Sequence, residues 1–181
     1  MANDTTIENN QFLTFILDNE VYALDIQQVR EVLDFSDITK VPRMPDFMRG
    51  VINLRGGVVP VVDLRLKFGL GVTEKTVDTC IIIIEVSLEG ERAMMGALAD
   101  SVQEVLDLDP NQIEPPPKIG TRLKTDFIRG MGKKKDRFII ILDIDRIFSS
   151  DELSRLSHAE SGVARVDVDA EADGEDAVAP L

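Results

Sequence analysis

Histidine and cysteine are almost missing from this chain. Of 181 residues, one is a histidine, His158, and one a cysteine, Cys80. A single cysteine excludes a disulfide framework within the chain. Its place in the apolar run Cys80–Ile84 gives it the expected role of a small buried hydrophobe. A lone histidine leaves a serine or cysteine nucleophile one possible imidazole base, and His158 is badly placed for that work, at the edge of the tail. No Cys/His cluster has metal-ligand spacing, and the G-x-x-x-x-G-K-[ST] phosphate loop is absent. Long hydrophobic runs are lacking too, since Cys80–Ile84 falls far short of the ~20 residues of a membrane helix. The N-terminus is polar, without a charged-then-apolar signal pattern, so the expected location is cytoplasmic.

Positive charge is scarce: 20 Lys and Arg stand against 33 Asp and Glu, a net charge of −13. That balance argues against a general affinity for nucleic-acid phosphates or anionic lipid. The tail from Ala159 onward holds seven acids and one base, Arg165, and so carries −6 of the total.

What is present is an ordinary soluble composition, 44% hydrophobic and 29% charged, in a length suited to one domain or two small halves. The most informative run is Gly50 to Phe68, GVINLRGGVVPVVDLRLKF. It reads as two apolar strands, Gly50–Leu54 and Val58–Asp63, joined at Arg55-Gly56-Gly57, where glycine supplies the positive φ of a tight hairpin. Pro60 cannot donate a ladder hydrogen bond, so its strand is expected at a sheet edge or at an interrupted ladder. Arg55 stands at the tip, a position that favours display.

The stretch is echoed later. Asp46-Phe47-Met48-Arg49-Gly50 matches Asp126-Phe127-Ile128-Arg129-Gly130 at an offset of 80, and Val61-Val62-Asp63-Leu64 matches Ile141-Leu142-Asp143-Ile144 at the same offset. Upstream, Val29–Asp34 (VREVLD) matches Val102–Asp107 (VQEVLD) at an offset of 73. Three blocks in the same order make the chain a two-fold internal repeat.

In chain order, residues 1–10 are polar and expected to be disordered. Phe12–Leu17 and Val21–Ile26 read as a hairpin. Val29–Phe35 reads as a third strand, with a helical turn at Ile26–Arg30 as the alternative. Leu64–Gly69 is a short helical or irregular exit, and Val72–Asp78 links the halves. Thr79–Leu88 reads as a strand buried on both faces, and Val102–Leu108 repeats the third strand. Pro115-Pro116-Pro117 favours an extended course. Phe127–Met131 and Phe138–Asp143 pair around the lysine-bearing tip Gly132–Asp136. Ser149 and Glu152 form a capping-box pattern for a terminal helix. The acidic tail after it lacks apolar periodicity and is expected to be disordered. Five short strands per half suggest an all-β chain of small barrels or sandwiches. The expected domain spans residues 11–157: a first half to about 75, a second over 76–148 and a helix over 149–157, before the tail 158–181. Such small halves would share apolar surface, with the groove between them as the expected binding site.

The repeat sets Asp63 and Asp143 at equivalent positions, and paired acids can act as general acid and base when they share a site. Both end an apolar strand, where capping of the next turn is the simpler role. Lys133-Lys134-Lys135 reads as a solvated tip, with docking to an acidic partner as the alternative.

The run RGVINLRGGVVPVVDLRLKFG resembles the signature of CheW-type chemotaxis coupling proteins. The entry FLTFILDNEVYALDIQQVREVL and the connector GALADSVQEVLDLDPNQIEPPP are similar to the same family, so the likeness covers about Gln11 to Leu156. It implies two pseudo-repeated five-stranded SH3-like β-barrels and a non-enzymatic adaptor without cofactor or metal. Its implied role is to link chemoreceptor signalling tips to the histidine kinase CheA in membrane-associated arrays. The receptor tip would dock between the subdomains, and the kinase's regulatory domain would pair barrel to barrel. An adaptor for another chemosensory-type kinase pathway, in surface motility or gene regulation, is the alternative. By motif, the implied receptor and kinase contacts are Val29, Glu31, Gly50 and Arg55. Ile119 is the implied ring contact, which would bring in other CheW copies. Glu114 departs from the basic residue often found there.

Overall fold

Alternating apolar residues separated by two-residue turns make this chain a series of antiparallel hairpins. In a computed structural model of the chain, residues 10–88, 90–116 and 127–148 are described. They hold ten strands: β1 Gln11–Leu17, β2 Glu20–Asp25, β3 Val29–Asp34, β4 Met48–Leu54, β5 Gly57–Asp63, β6 Cys80–Leu88, β7 Glu91–Ala99, β8 Ser101–Asp107, β9 Ile128–Lys134 and β10 Arg137–Leu142. Two short helices follow strand ends, α1 Leu64–Lys67 and α2 Ile144–Phe148. The expected helix over 149–157, the tail and Ile119 lie outside the described residues.

The strands form two five-stranded sheets. Sheet A runs β9-β10-β2-β1-β8 and sheet B runs β3-β6-β7-β5-β4. The expected division at about residue 75 is therefore not how the strands assort. Each sheet takes its leading hairpin from one half of the chain and its other three strands from the other half. β1–β2 joins β8, β9 and β10, and β6–β7 joins β3, β4 and β5. The exchange follows from the links. Only Ile26–Gln28, a 3-10 turn, separates β2 from β3, and only Asp100 separates β7 from β8. Links this short carry the next strand to the facing sheet more readily than back beside its predecessor.

The two sheets share one plan. In each, the inner parallel contact sets the last strand of one half of the chain beside the second strand of the other half, β10 beside β2 and β5 beside β7. Each final hairpin carries a bulge at its start, between Met48 and Gly50 or between Ile128 and Gly130. Each outer strand is met by the loop that leaves the sheet's opposite edge. Thr39 exchanges backbone hydrogen bonds with Val51, at 2.9 and 2.8 Å, and Glu114 does the same with Met131, at 2.8 Å each way.

Pro60 lies on an inner strand rather than an edge. β5 sits between β7 and β4, but its ladder to β7 begins at Val61, one residue past the proline. Of the two expectations for Pro60, the interrupted ladder is the one realised.

Three apolar clusters follow from strand alternation. Phe12, Val21, Leu106, Ile139 and Ile141 fill sheet A. Ile52, Val59, Val61, Ile81, Ile83 and Leu98 fill sheet B. Between the sheets lies the largest cluster, with Leu13, Phe15, Leu24, Ile82, Ile84, Ala97 and Phe148. β6 serves two of the three, and Ile81 through Ile84 are all fully buried, as its unbroken apolar run requires. Each such isoleucine contributes about 1.5–3 kcal/mol of burial. Cys80 opens this strand only partly buried, its thiol pushed above the usual range by burial and then by the nearby Asp34.

Candidate functional site

The β4–β5 hairpin turns on Arg55 and Gly56, both at positive φ, 51° and 85°. Two consecutive residues in that region form the turn whose twist matches paired strands. Asparagine or glycine is the usual first residue. A long cation there is held away from the strands at a cost of roughly 1–2 kcal/mol. Asn53 steadies the turn by accepting from the Gly56 amide at 2.9 Å.

Arg55 does not hang free. Its guanidinium grips Glu31 on β3 through two parallel hydrogen bonds, Nη1 to Oε2 at 2.7 Å and Nη2 to Oε1 at 3.1 Å. The arginine side chain is 73% exposed and that of Glu31 25%. The pair thus joins the two opposite edges of sheet B at the surface. Hydrogen bonding to Arg55, helped by its charge and opposed by burial, holds the Glu31 carboxyl below its ordinary range. The same contact raises Arg55.

Val29 stands two residues before Glu31, and simple alternation would put both on one face. A bulge between them breaks that rule. Val29 pairs with Ile84, which faces the layer between the sheets, and Glu31 pairs with Ile83, which faces the cluster inside sheet B. The two positions therefore look opposite ways. Val29 packs at the rim of the central layer beside exposed Val32, at 40%.

Gly50 stands at φ 142°, and a Cβ there would lie 2.1 Å from the Thr39 carbonyl oxygen. The close approach that glycine permits is to this chain's own loop, in the contact that closes sheet B. Gly50 thus positions the hairpin bearing Arg55.

Several residues that shape this region carried no sequence signal. Arg65 donates to Asp100 at 2.9 Å and to the Leu70 carbonyl at 3.1 Å, with Asp18 at 3.6 Å. Asp100 also accepts from the Asp18 amide at 2.8 Å. At the other link, Asp145 accepts from Gln28 at 3.3 Å and from the Ser87 amide at 3.0 Å. Arg30 pairs with Glu85 on the neighbouring strand. Apart from the Arg65–Leu70 bond, five positions long, these contacts join residues 35 to 117 positions apart, and local patterns cannot show them.

The paired-acid reading does not fit the geometry. Asp63 is fully buried, with its carboxylate taken by the Thr73 hydroxyl and amide at 2.6 and 2.9 Å, by Arg49 at 3.0 Å and by the Leu66 amide at 3.3 Å. Asp143 caps α2 through the Arg146 amide at 3.3 Å. Each acid is a cap in its own sheet. Among the described residues, no group of three or more His, Cys, Asp or Glu side chains is placed to hold a metal ion. Nor is any helix there long and apolar enough to cross a membrane.

Residues 11–152 match the CheW-like domain family. The chain belongs to that family. It is 37% identical over 144 residues to the chemotaxis protein CheW of Klebsiella aerogenes, covering 80% of this chain and 84% of the relative. To the chemotaxis protein CheW of Thermotoga maritima it is 35% identical, covering 76% and 86%. Among solved structures it is similar to the scaffolding protein TtCheW from Thermoanaerobacter tengcongensis. That match has a TM-score of 0.71 and 38% identity, and covers 84% of this chain and 96% of the other. The CheW-like assignment agrees with the mostly β architecture in two five-stranded sheets.

Proposed function

We propose that the chain is a non-enzymatic adaptor of chemotaxis signalling that couples chemoreceptor tips to the histidine kinase CheA in membrane-associated arrays. Support comes from its membership of the CheW-like family, from relatives named as chemotaxis proteins, and from a structural neighbour described as a scaffolding protein. In this reading each sheet, closed by its loop, is an SH3-like barrel. No cofactor is required, and no turnover accompanies the role.

The observation that carries the reading furthest is the bulge between Val29 and Glu31. One short strand thereby presents an apolar residue to the rim between the sheets and a charged pair to the end of sheet B. A scaffold needs two such separate faces. The receptor's helical tip fits the apolar rim at Val29, because helices bind through an apolar stripe. The kinase's regulatory domain fits the end bearing Glu31 and Arg55, where charge fixes register more than affinity. Gly50 acts by holding the hairpin in place. Ile119 remains the proposed contact with other CheW copies in array rings.

The test is co-sedimentation with receptor-bearing membranes, with and without CheA, while kinase autophosphorylation is followed. The wild-type chain pellets with receptors and raises kinase activity. Val29→Asp no longer pellets with receptors, whereas Glu31→Arg pellets but no longer raises kinase activity. A chain that binds neither partner ends the coupling reading. A chain that serves a different chemosensory kinase in the same assay replaces CheA in it.

A further inference from the structure

On an acidic chain, positive charge gathers at one place. Lys133-Lys134-Lys135 is the only run of three cations in the sequence, and Arg137 follows it on β10. In sheet A the last two of these lysines and Arg137 rim a cleft of about 170 Å³. Lys134, Lys135, Arg137 and Glu104 stand around it, and Val21 and Ile139 form its apolar floor. The local balance is positive, with four cations against Glu104 and Asp136. Among the described residues, the ion pair made by the three lysines is Lys134 with Glu104, at 3.7 Å. Arg137 is anchored by its donation to the Asn19 carbonyl at 3.2 Å. β9, which carries Lys133 and Lys134, is an outer strand of sheet A. Glu114 meets it at Met131, and no described strand lies beyond the lysines.

The same chain contains a segment with the complementary pattern. The expectation that the tail lacks apolar periodicity does not hold over residues 166–173, where Val166, Val168, Ala170 and Ala172 alternate with Asp167, Asp169, Glu171 and Asp173. At period two, that places four acids on one side of an extended segment and four small apolar groups on the other. We propose that residues 166–173 dock within the same molecule along the β9–β10 hairpin, setting their acids against Lys133, Lys134, Lys135 and Arg137. An exposed strand edge supplies backbone partners, small side chains suit the shallow floor, and the charges fix register.

The tether is long enough. From Phe148 the chain must return along β10, a six-residue strand spanning about 20 Å at strand rise. The 17 residues from 149 to 165 reach about 60 Å when extended. As a flexible chain their mean end-to-end distance is about 25 Å. Attachment at that range gives an effective concentration on the order of millimolar, which favours the tail over a dilute acidic competitor.

The experiment compares backbone amide spectra of the isotope-labelled full chain with those of the chain ending at Ser157. A synthetic peptide of residues 159–181 is then titrated into the truncated protein. Docking predicts that truncation shifts the amides of residues 131–139 and of Thr14 and Gln103, and that the peptide restores them. It also predicts loss of the effect in 0.5 M salt, where the screening length is about 4 Å. Lys133→Gln/Lys134→Gln/Lys135→Gln at the exposed tip should weaken peptide binding by about tenfold or more. Two results overturn the proposal: hairpin amides that do not change on truncation, or changes that scale with protein concentration, which would place the contact between molecules.

Discussion

Arg55 and Glu31 meet fork to fork, 24 positions apart, across the open side of sheet B. The pair joins the tip of the last hairpin of the sheet to its opposite edge strand. The second sheet repeats the arrangement loosely, with Lys134 of its own last hairpin 3.7 Å from Glu104, the counterpart of Glu31. A point charge cannot make the two parallel bonds that a guanidinium makes.

The pair sets a pH dependence. Arg55 lowers the Glu31 carboxyl in the folded chain, so the unfolded chain takes up its proton at higher pH than the folded one. The pair's contribution is therefore complete above the unfolded value and is lost as pH falls through the lower, folded value. A carbon-detected titration of the Glu31 carboxyl should show this depressed midpoint, and Arg55→Gln should return it to the ordinary carboxylate range. An unchanged midpoint in the variant would show that the pair does not persist in solution.

Gly50 and Gly130 each follow the bulge that opens the last hairpin of their sheet, but they differ in tolerance. An added Cβ at Gly50 meets the Thr39 oxygen at 2.1 Å on a positive-φ backbone, whereas at Gly130 it meets Ile113 Cγ2 at 2.6 Å and the Glu114 oxygen at 3.0 Å. Gly50→Ala should cost on the order of 3 kcal/mol and Gly130→Ala clearly less, because a side-chain methyl can shift. Urea unfolding of both variants gives the order, and equal losses would contradict it.

Asp63→Ala should be far more damaging than Asp143→Ala. The first strips a buried carboxylate from Arg49 and from both Thr73 donors, a loss of about 3–5 kcal/mol. The second removes a partly exposed helix cap, worth about 1 kcal/mol. Thermal unfolding of the two variants compares them directly.

Neither half of the chain should fold alone. A fragment ending at residue 75 lacks the strands that flank β1–β2 on both sides, β8 and β10. Separately produced fragments 1–75 and 76–181 should be unfolded by circular dichroism and regain strand signal when refolded together. A folded isolated half would contradict the exchanged sheets.

How far the sequence carried depends on the range of each interaction. The hairpins were legible because turn chemistry is local, and the four consecutive isoleucines marked β6 as buried on both faces. Asp63 and Asp143 announced their capping role by position. The exchange of hairpins was not legible, since β1–β2 carries the same alternation whichever sheet receives it. Pro60 suggested an edge because a missing donor shows in sequence, while the end of a parallel ladder does not. The bulge after Val29 was equally silent. Glu31 and Arg55 were singled out by motif resemblance, but nothing local said that they touch.

The crossings at Ile26–Gln28 and Asp100 bear on how such a molecule works under load. Gln28 is tied through Asp145 to Ser87, and Asp100 through Arg65 and Asp18, so both crossings are riveted as well as short. With three residues in one crossing and one in the other, neither has a long loop to serve as a hinge. A jaw that opens and shuts needs one; a spacer block does not. Under the proposed adaptor role, partners at the two faces would be held at a fixed distance and angle, and the molecule would transmit position rather than motion.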